Sequence, residues 1–252
     1  MTIAVMGDWG SGSWDDGPVF SCPSVLVGQA ISSLKPDVTI HVGDVYYSGL
    51  GFEEKNNLLA SFPAGSQYSF TMNSNHEMYY GGNGYFGTGI APSQSIFKQN
   101  GTSYFSFVFQ DWLIIGLDSA FYDKSFFFME GAIAPINNLK PPQESFVQQQ
   151  VKNNPGKKVI LFTHHIAISL DGSEINNTLF NQVQRAFNNY LPDFWYYGHT
   201  HNGIVYNDNS VMGSYRTISG KIPKARCMGH GALPFGKATG LYDSKTGKNI
   251  NT

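Results

Sequence analysis

The chain has 252 residues, a net charge of −2 at pH 7 and a sequence pI of about 6.4. This near-neutral balance gives no indication of a polyanion-binding surface, so we expect no nucleic acid polymer as partner. No run of about 18 apolar residues could span a membrane, so we expect no membrane partner either. Cys22 and Cys227 are too few for a disulfide framework or a cysteine-based zinc site, and whether they pair stays open.

The polar motifs described below are spread from one end of the chain to the other. We therefore expect a single domain, residues 1–252, although this length also allows two small domains. The first residues run directly into a polar motif without the pattern of a signal peptide. A cytoplasmic protein and a secreted or periplasmic protein with a removed leader both remain possible. The oligomeric state stays open as well.

The first two predicted strands each end in glycine followed by aspartate. Ile3 to Met6 is a short apolar run that leaves Asp8 at its tip, and a second apolar run ends at Asp44. Residues 23–34 between them have helical spacing, with an expected apolar face of Val25, Leu26, Ala30, Ile31 and Leu34. Strand, helix and strand in succession predict parallel strands whose carboxyl ends meet at one sheet edge. An isolated Gly-Asp is most simply a turn, but its recurrence favours two metal ligands.

Asp44 is predicted to be the central residue of a two-metal site. A carboxylate at the end of a strand can place one oxygen on each of two cations. Tyr47 follows three residues later, and a phenol rarely binds Zn²⁺ or Mg²⁺, whereas trivalent iron can hold it as phenolate. Tyr47 as a ligand therefore implies Fe(III). The alternative is a tyrosine that packs beside the site with its hydroxyl in a hydrogen bond.

Three further predicted strands also end in residues that can bind metals. The strand from residue 68 to 72 precedes Asn75 and His76, a neutral oxygen ligand and a candidate proton donor. The strand from residue 158 to 162 precedes His164, and the strand from residue 193 to 197 precedes His199 and His201. Histidines at alternate positions just past a strand can point toward two adjacent metals. Taken together, these strand ends predict one site.

The remaining pattern completes an α/β chain with two sheets. Helices are predicted over residues 53–62, 142–152 and 178–190, and a hairpin of a second sheet over residues 103–117. Short strands are expected at residues 204–206 and 214–218. Residues 81–101 read as a long loop over the site, and the aromatic-rich residues 121–129 are given no chemistry. His230 lies in a glycine-rich loop and faces either the substrate or the solvent.

The ordered motifs resemble those of the calcineurin-like metallophosphoesterases. They are Gly7-Asp8-x-Gly10, Gly43-Asp44-x-x-Tyr47, Asn75-His76-Glu77, His164 and Gly198-His199-x-His201. Within the superfamily the chain is similar to the small, single-domain form of the purple acid phosphatases. This narrower resemblance depends on Tyr47 and on Gly10, where many other members carry a ligand histidine. Ser74 replaces the usual glycine before Asn-His, and His165-Ile166-Ala167 lacks the proline often found after His164.

The resemblance implies a four-layer αββα sandwich, in which two mixed β-sheets are flanked by helices. It implies that Fe(III) is held by Asp8, Asp44, Tyr47 and His201. It implies that a divalent Zn, Mn or Fe ion is held by Asp44, Asn75, His164 and His199. His76 corresponds to the substrate-contacting histidine and general acid, and we expect His165 and His230 near the substrate.

These expectations together predict hydrolysis of small phosphomonoesters by a dinuclear centre, as in an acid phosphatase. Because Fe(III) acidifies bound water more than Zn²⁺ does, activity at mildly acidic pH is expected. A phosphodiesterase or nucleotide pyrophosphatase would share the same centre and differ in its pocket. A non-catalytic scaffold that keeps the fold for binding partners is a third interpretation.

Overall fold

Three parallel strands form the smaller sheet of this computed structural model, which describes residues 1–12, 22–93, 96–135, 141–233, 242–243 and 248–249. The strands are β1 (Ile3–Met6), β2 (Val38–His41) and β3 (Tyr68–Thr71), in that order across the sheet. Helix α1 (Pro23–Ser33) connects β1 to β2. This confirms the predicted strand-helix-strand unit, so the carboxyl ends of all three strands lie along one edge.

A second sheet has six strands in the order β4-β5-β6-β7-β9-β8. The bounds are β4 Phe105–Phe109, β5 Trp112–Gly116, β6 Lys158–Phe162, β7 Phe194–Tyr197, β8 Gly203–Val205 and β9 Lys224–Met228. β4 and β5 form the predicted antiparallel hairpin, and β5, β6, β7 and β9 run parallel. β8 pairs antiparallel with β9, so the sheet is mixed.

Alternating side chains of the central strands separate two layers of the core. On β5, Ile114 packs in a buried cluster with Ile40 and Phe70 of the smaller sheet. Its neighbours Leu113 and Ile115 point the other way, into a cluster lined by α4 (Pro142–Asn153) and α5 (Asn177–Ala186). A third cluster packs α1 and the segment around Leu58 against the outer face of the smaller sheet. The expected four layers of helix, sheet, sheet and helix are thereby confirmed.

Helix α1 does not bury the face that its apolar residues suggested. Leu26 and Leu34 are 50% and 70% exposed, whereas Ser24 and Gly28 are buried. The cause is Trp9, whose indole Nε1 donates a hydrogen bond of 2.7 Å to the carbonyl of Ser24. The small side chains on this face of α1 allow the indole ring to pack closely. The shape of Trp9 therefore decides the orientation of α1 more than the apolar content of the helix does.

Several other elements differ from the prediction. A short helix α2 (Gly51–Glu53) leads into a π-helix at Glu54–Leu59, and residues 81–101 include a second π-helix, Tyr85–Gly89. The Tyr85 ring is completely buried in the core, so this segment is more than a surface loop. Strand β9 was not predicted, because its inward residues Ala225 and Cys227 are small and Lys224 and Arg226 between them are charged. Residues 214–218 follow the 3₁₀ turn Val211–Ser214 and form no named strand.

The remaining described elements are short. Helix α3 is Asn75–Met78, a 3₁₀ turn covers Phe126–Phe128, and the strands Tyr242–Asp243 and Lys248–Asn249 (β10 and β11) pair with each other. Cys22 and Cys227 form no disulfide with each other. Among the helices in the described ranges, none has the length and apolar character required to cross a membrane.

Candidate metal centre

Four candidate ligands at the strand ends share an unusual backbone conformation. Asp8, Asp44, His199 and His201 have φ angles of 55°, 76°, 71° and 53°, in the left-handed region. Such a conformation costs a non-glycine residue on the order of 1 to 3 kcal/mol and persists only where surrounding contacts impose it. Four of the eleven described non-glycine residues with positive φ are thus residues that the sequence selected for metal binding.

Glycines beside these residues permit close approach of the strand ends. A Cβ atom on Gly43 would lie 2.6 Å from Nδ1 of His164, and one on Gly198 would lie 2.5 Å from Oδ2 of Asp8. Both distances are shorter than real Cβ contacts. The sequence indicated these glycines as turn residues, and the structure adds that they bring the two sheets together.

Asp8, Asp44 and His201 form the first group of candidate ligands. Nε2 of His201 lies 3.3 Å from Oδ1 of Asp8 and 3.7 Å from Oδ2 of Asp44. Asp8 is fully buried, and among the described residues its Oδ1 has no hydrogen-bond donor. Burial, with the neighbouring Asp44 charge, raises the pKa of Asp8 well above its ordinary range. A buried carboxylate oxygen without a donor fits a bound cation.

Asn75, His164 and His199 form the second group. Oδ1 of Asn75 lies 2.9 Å from Nε2 of His164 and 3.1 Å from Nδ1 of His199, and these two nitrogens are 3.1 Å apart. Nδ1 of His164 donates to the carbonyl of Val42 at 2.9 Å, which leaves the Nε2 lone pair for a metal. Burial lowers the pKa of His164 and of His199 to about 3, so both rings are neutral as ligation requires.

Asp44 connects the two groups through separate oxygens. Its Oδ1 lies 3.3 Å from Nε2 of His164, and its Oδ2 lies on the side of His201. The carboxylate, imidazole and amide donors suit iron, zinc or manganese, which accept mixed nitrogen and oxygen ligands. The residues present therefore fit a pair of metal ions with Asp44 between them.

The tyrosine hydroxyl in the first group belongs to Tyr46. It donates to Oδ2 of Asp44 at 3.0 Å and lies 3.1 Å from Nε2 of His201, and burial with the Asp44 charge raises its pKa. The side chain of Tyr47, expected here from the sequence, is instead 63% exposed. Val45 is bridged to Gly10 in a strand-like pairing. The Tyr46 amide also donates to the carbonyl of Gly10 at 2.9 Å, so this pairing fixes the backbone between Asp44 and Tyr47.

His76 lies beside both groups, and hydrogen bonds with Ser74 and Tyr47 fix its position. Nδ1 of His76 donates to the carbonyl of Tyr47 at 2.6 Å, and Nε2 lies 3.9 Å from Oδ2 of Asp44. Ser74 is extended (φ −138°, ψ −178°), so a non-glycine residue fits without strain. Its hydroxyl caps α3 by accepting from the His76 amide and donates to Oδ1 of Asp44 at 2.5 Å. The residue that departs from the family pattern thus orients both Asp44 and His76.

The two other expected histidines differ in their surroundings. The His165 ring is completely buried and lies 4.8 Å from that of His199. However, Nε2 of His165 donates to the carbonyl of Phe128 at 2.6 Å and Nδ1 accepts from Ser119 at 2.8 Å, so both nitrogens are engaged. His230 is exposed. Neither side chain is brought to the Asp44 carboxylate.

Sequence reasoning missed several residues around the centre. They are Tyr46, Ser74, Tyr79, Asp123 and Phe127. A motif spacing identifies one tyrosine but cannot show which of two adjacent rings turns inward. The segment from residue 121 to 129 carried only an aromatic composition, which is equally typical of core packing.

Solved structures of other proteins share this fold. The structure named as GAP50, the anchor in the inner membrane complex of Plasmodium, matches with a TM-score of 0.62 and 15% identity, covering 97% of this chain and 76% of that chain. A dimetal phosphatase from Danio rerio matches with a TM-score of 0.60 and 13% identity, covering 92% and 88%. The purple acid phosphatase PPD1 from yellow lupin (Lupinus luteus) seeds gives 0.60 and 16%, covering 92% and 44%.

These identities are low, so the structural likeness shows the fold alone. No curated protein sequence matches this chain at a significant level. The family model described as calcineurin-like phosphoesterase matches residues 1–203, the part of the chain that contains both groups of candidate ligands. Since the match spans most of the sequence, including the strand ends that carry these candidates, the chain belongs to the calcineurin-like phosphoesterase family.

Proposed function

We propose that this protein hydrolyses small phosphomonoesters at a dinuclear metal centre, in the manner of an acid phosphatase. The observation that carries the proposal is the position of Asp44, whose two carboxylate oxygens face the two ligand groups separately. Family membership supports a phosphoester substrate. The choice of a monoester and of an iron-containing centre is the part that goes beyond the family.

In the proposed centre, Asp8, Asp44 and His201 would hold Fe(III) together with one tyrosine. The resemblance implied Tyr47 for this role, and the geometry supports Tyr46. Asp44, Asn75, His164 and His199 would hold a divalent Zn, Mn or Fe ion. When bound, the two ions neutralise the charge on phosphoryl oxygens and lower the pKa of water toward 7 or below.

His76 is the proposed general acid for the departing alcohol. A carbonyl oxygen can only accept, so the contact with Tyr47 assigns the Nδ1 proton of His76 and turns Nε2 toward Asp44. When protonated, Nε2 would present its hydrogen beside the centre, where the leaving oxygen develops negative charge. The ligand atoms of His165, His164 and His199 lie within 4.8 Å of one another, so His165 keeps its proposed place near the substrate while it also donates to the backbone of Phe128.

A direct test compares p-nitrophenyl phosphate with bis(p-nitrophenyl) phosphate as substrates of the metal-reconstituted protein. We expect the larger kcat/KM for the monoester, with about one iron per chain by elemental analysis. A larger value for the diester would replace the proposal with a phosphodiesterase or nucleotide pyrophosphatase. Stoichiometric metals without turnover of either ester would favour a binding scaffold, a role consistent with the structural neighbour named as an anchor.

A further inference from the structure

The residues from Asp123 to Gly131, which we name the strap, form a closed loop next to the candidate centre. Oδ1 of Asp123 accepts from the amide of Ser125 at 2.8 Å. Its Oδ2 accepts from the amides of Glu130 and Gly131 at 3.0 and 2.8 Å. One nearly buried carboxylate therefore joins both ends of the strap. Such a loop has a defined conformation of its own.

The strap is also attached to the candidate metal centre, because Nε2 of His165 donates to the carbonyl of Phe128. Phe127 and Phe128 have φ angles of 59° and 55°, which is strained for aromatic residues. The anchored turn nevertheless leaves Phe126 82% and Phe127 59% exposed. Phe127 is both strained and exposed, and it lies beside the exposed Phe126 on an anchored turn, which is a reason to look for a ligand.

Aromatic contacts connect the strap to the candidate general acid. The rings of Phe127 and Tyr79 meet edge to face, with centroids 6.1 Å apart, and those of Tyr79 and His76 are 4.9 Å apart. The Tyr79 hydroxyl accepts from Nδ2 of Asn75 at 2.9 Å. The row of rings therefore begins at a candidate metal ligand and ends at the protein surface.

Tyr47 extends this row on another side of His76. Its ring centroid lies 4.8 Å from that of His76, and its side chain is largely exposed. Together Tyr47, Tyr79, Phe126 and Phe127 form what we name the aromatic rim. It surrounds the side chain that would protonate the leaving oxygen, so the alcohol part of a bound ester would leave the centre across these rings.

Building on the proposed function, we propose that the aromatic rim binds the alcohol part of the substrate and selects esters in which that part carries a flat aromatic ring. Ring faces and edges attract a planar aromatic group beyond what its buried area provides. An aryl phosphate and a nucleoside phosphate share this chemistry. A saturated ring of similar size offers a similar apolar area for burial but has no planar π face.

Calorimetric titration of the metal-reconstituted protein with non-hydrolysable phosphonates tests this inference without requiring turnover. Methylphosphonate reports on the centre alone, benzylphosphonate adds a flat ring, and cyclohexylmethylphosphonate adds a saturated one. We expect benzylphosphonate to bind about three- to tenfold more tightly than either of the others. The methylenephosphonate analogue of adenosine monophosphate then distinguishes the two classes of substrate. If it binds more tightly than benzylphosphonate, the substrate is a nucleoside phosphate, and if it binds more weakly, the substrate is an aryl phosphate.

Phe127→Leu should remove most of the preference for benzylphosphonate while methylphosphonate binding stays unchanged. If Phe127→Leu folds poorly, the same loss of preference can be measured in Phe126→Leu, at a more exposed position. Tyr68→Leu is the matched control. Tyr68 is 46% exposed and stacks on Phe70, and it begins β3, whereas the candidate centre lies beyond the other end of that strand. The control should keep the preference in full.

The outcomes separate this inference from the proposed function. Equal affinities for methylphosphonate and benzylphosphonate would overturn the rim as a selective surface and leave the phosphatase proposal standing. A preference that survives in both Phe127→Leu and Phe126→Leu would also overturn it. If no phosphonate and no orthophosphate binds the metal-loaded protein, the proposed function fails and the role of the rim fails with it.

Discussion

The hydroxyl of Tyr46 lies 3.0 Å from Oδ2 of Asp44, whereas the neighbouring ring of Tyr47 is directed to the surface. A phenolate bound to Fe(III) absorbs visible light, which makes the identity of the tyrosine measurable. The two residues are adjacent and chemically identical, so each serves as the control for the other.

We expect iron-loaded wild-type protein to show a broad band in the purple region, and Tyr46→Phe to lose it. Tyr47→Phe should keep the band, because Tyr47 is 63% exposed whereas the Tyr46 hydroxyl contacts Asp44 and His201. Spectra should be recorded with elemental analysis, so that loss of colour is not confused with loss of iron. Loss of the band in Tyr47→Phe alone would show that Tyr47 is the iron ligand, as the motif spacing predicted.

His76→Ala should lower kcat roughly 10²- to 10⁴-fold, the usual contribution of a positioned proton donor. Its metal content should stay that of the wild type, because the neighbouring Asn75 and Asp44 keep their other contacts. Added imidazole should restore part of the rate by occupying the space of the missing ring. An enzyme depleted of both metals would instead show that His76 maintains the centre.

Metal removal should lower thermal stability, because the ions bind only the folded arrangement of ligands. At a free metal concentration 100 times Kd, binding adds about 2.7 kcal/mol, or roughly 5 to 10 °C in Tm for a chain of this size. Asp8→Asn should raise the Tm of the metal-free protein, since an amide avoids the cost that burial and the Asp44 charge impose on the carboxyl, the cost that raises its pKa. It should also abolish most of the response to metal.

The control for that series is Asp37→Asn, at an exposed carboxylate that accepts from the Thr2 amide away from the centre. This variant should keep the full difference between chelator-treated and metal-loaded protein. Identical Tm values for wild-type protein with and without chelator would contradict a site built on Asp8.

Glu54 predicts a dependence of stability on pH. Its carboxyl is fully buried, neither oxygen has a hydrogen-bond partner among the described residues, and burial, followed by the Glu53 charge, raises its pKa from 4.5 to about 8. Between these values the folded state keeps a proton that the unfolded state releases. The free energy of unfolding should therefore fall as pH rises from 5 toward 8.

Glu54→Gln stays uncharged and should lose this dependence, gaining about 2 kcal/mol on the wild type between pH 5 and pH 7. Urea unfolding of metal-free protein at several pH values measures the difference. Glu174→Gln, at an exposed carboxylate, should follow the wild type. Parallel curves for Glu54→Gln and the wild type would show that the carboxyl is not held neutral.

The amino-acid sequence by itself determined many elements of the fold and most of the candidate centre. Apolar runs, alternation and helical spacing identified β1, α1, β2, the β4-β5 hairpin and β6, because these patterns report the period of an element, although the buried face of α1 was not the predicted one. Repeated polar residues after strands identified Asp8, Asp44, His164, His199 and His201. Parallel strands end at a common edge, so order along the chain was enough to predict proximity.

Only the tertiary structure decided which side chains at that edge face one another. The choice of Tyr46 over Tyr47 depends on the pairing of Val45 with Gly10, a contact between different strand ends. The role of Ser74 depends on the direction of a single hydroxyl toward Asp44. The strap reaches Tyr79 and His165 because Asp123 closes a loop that has no helical or strand period. These contacts join residues that are distant in sequence, so local sequence patterns do not predict them.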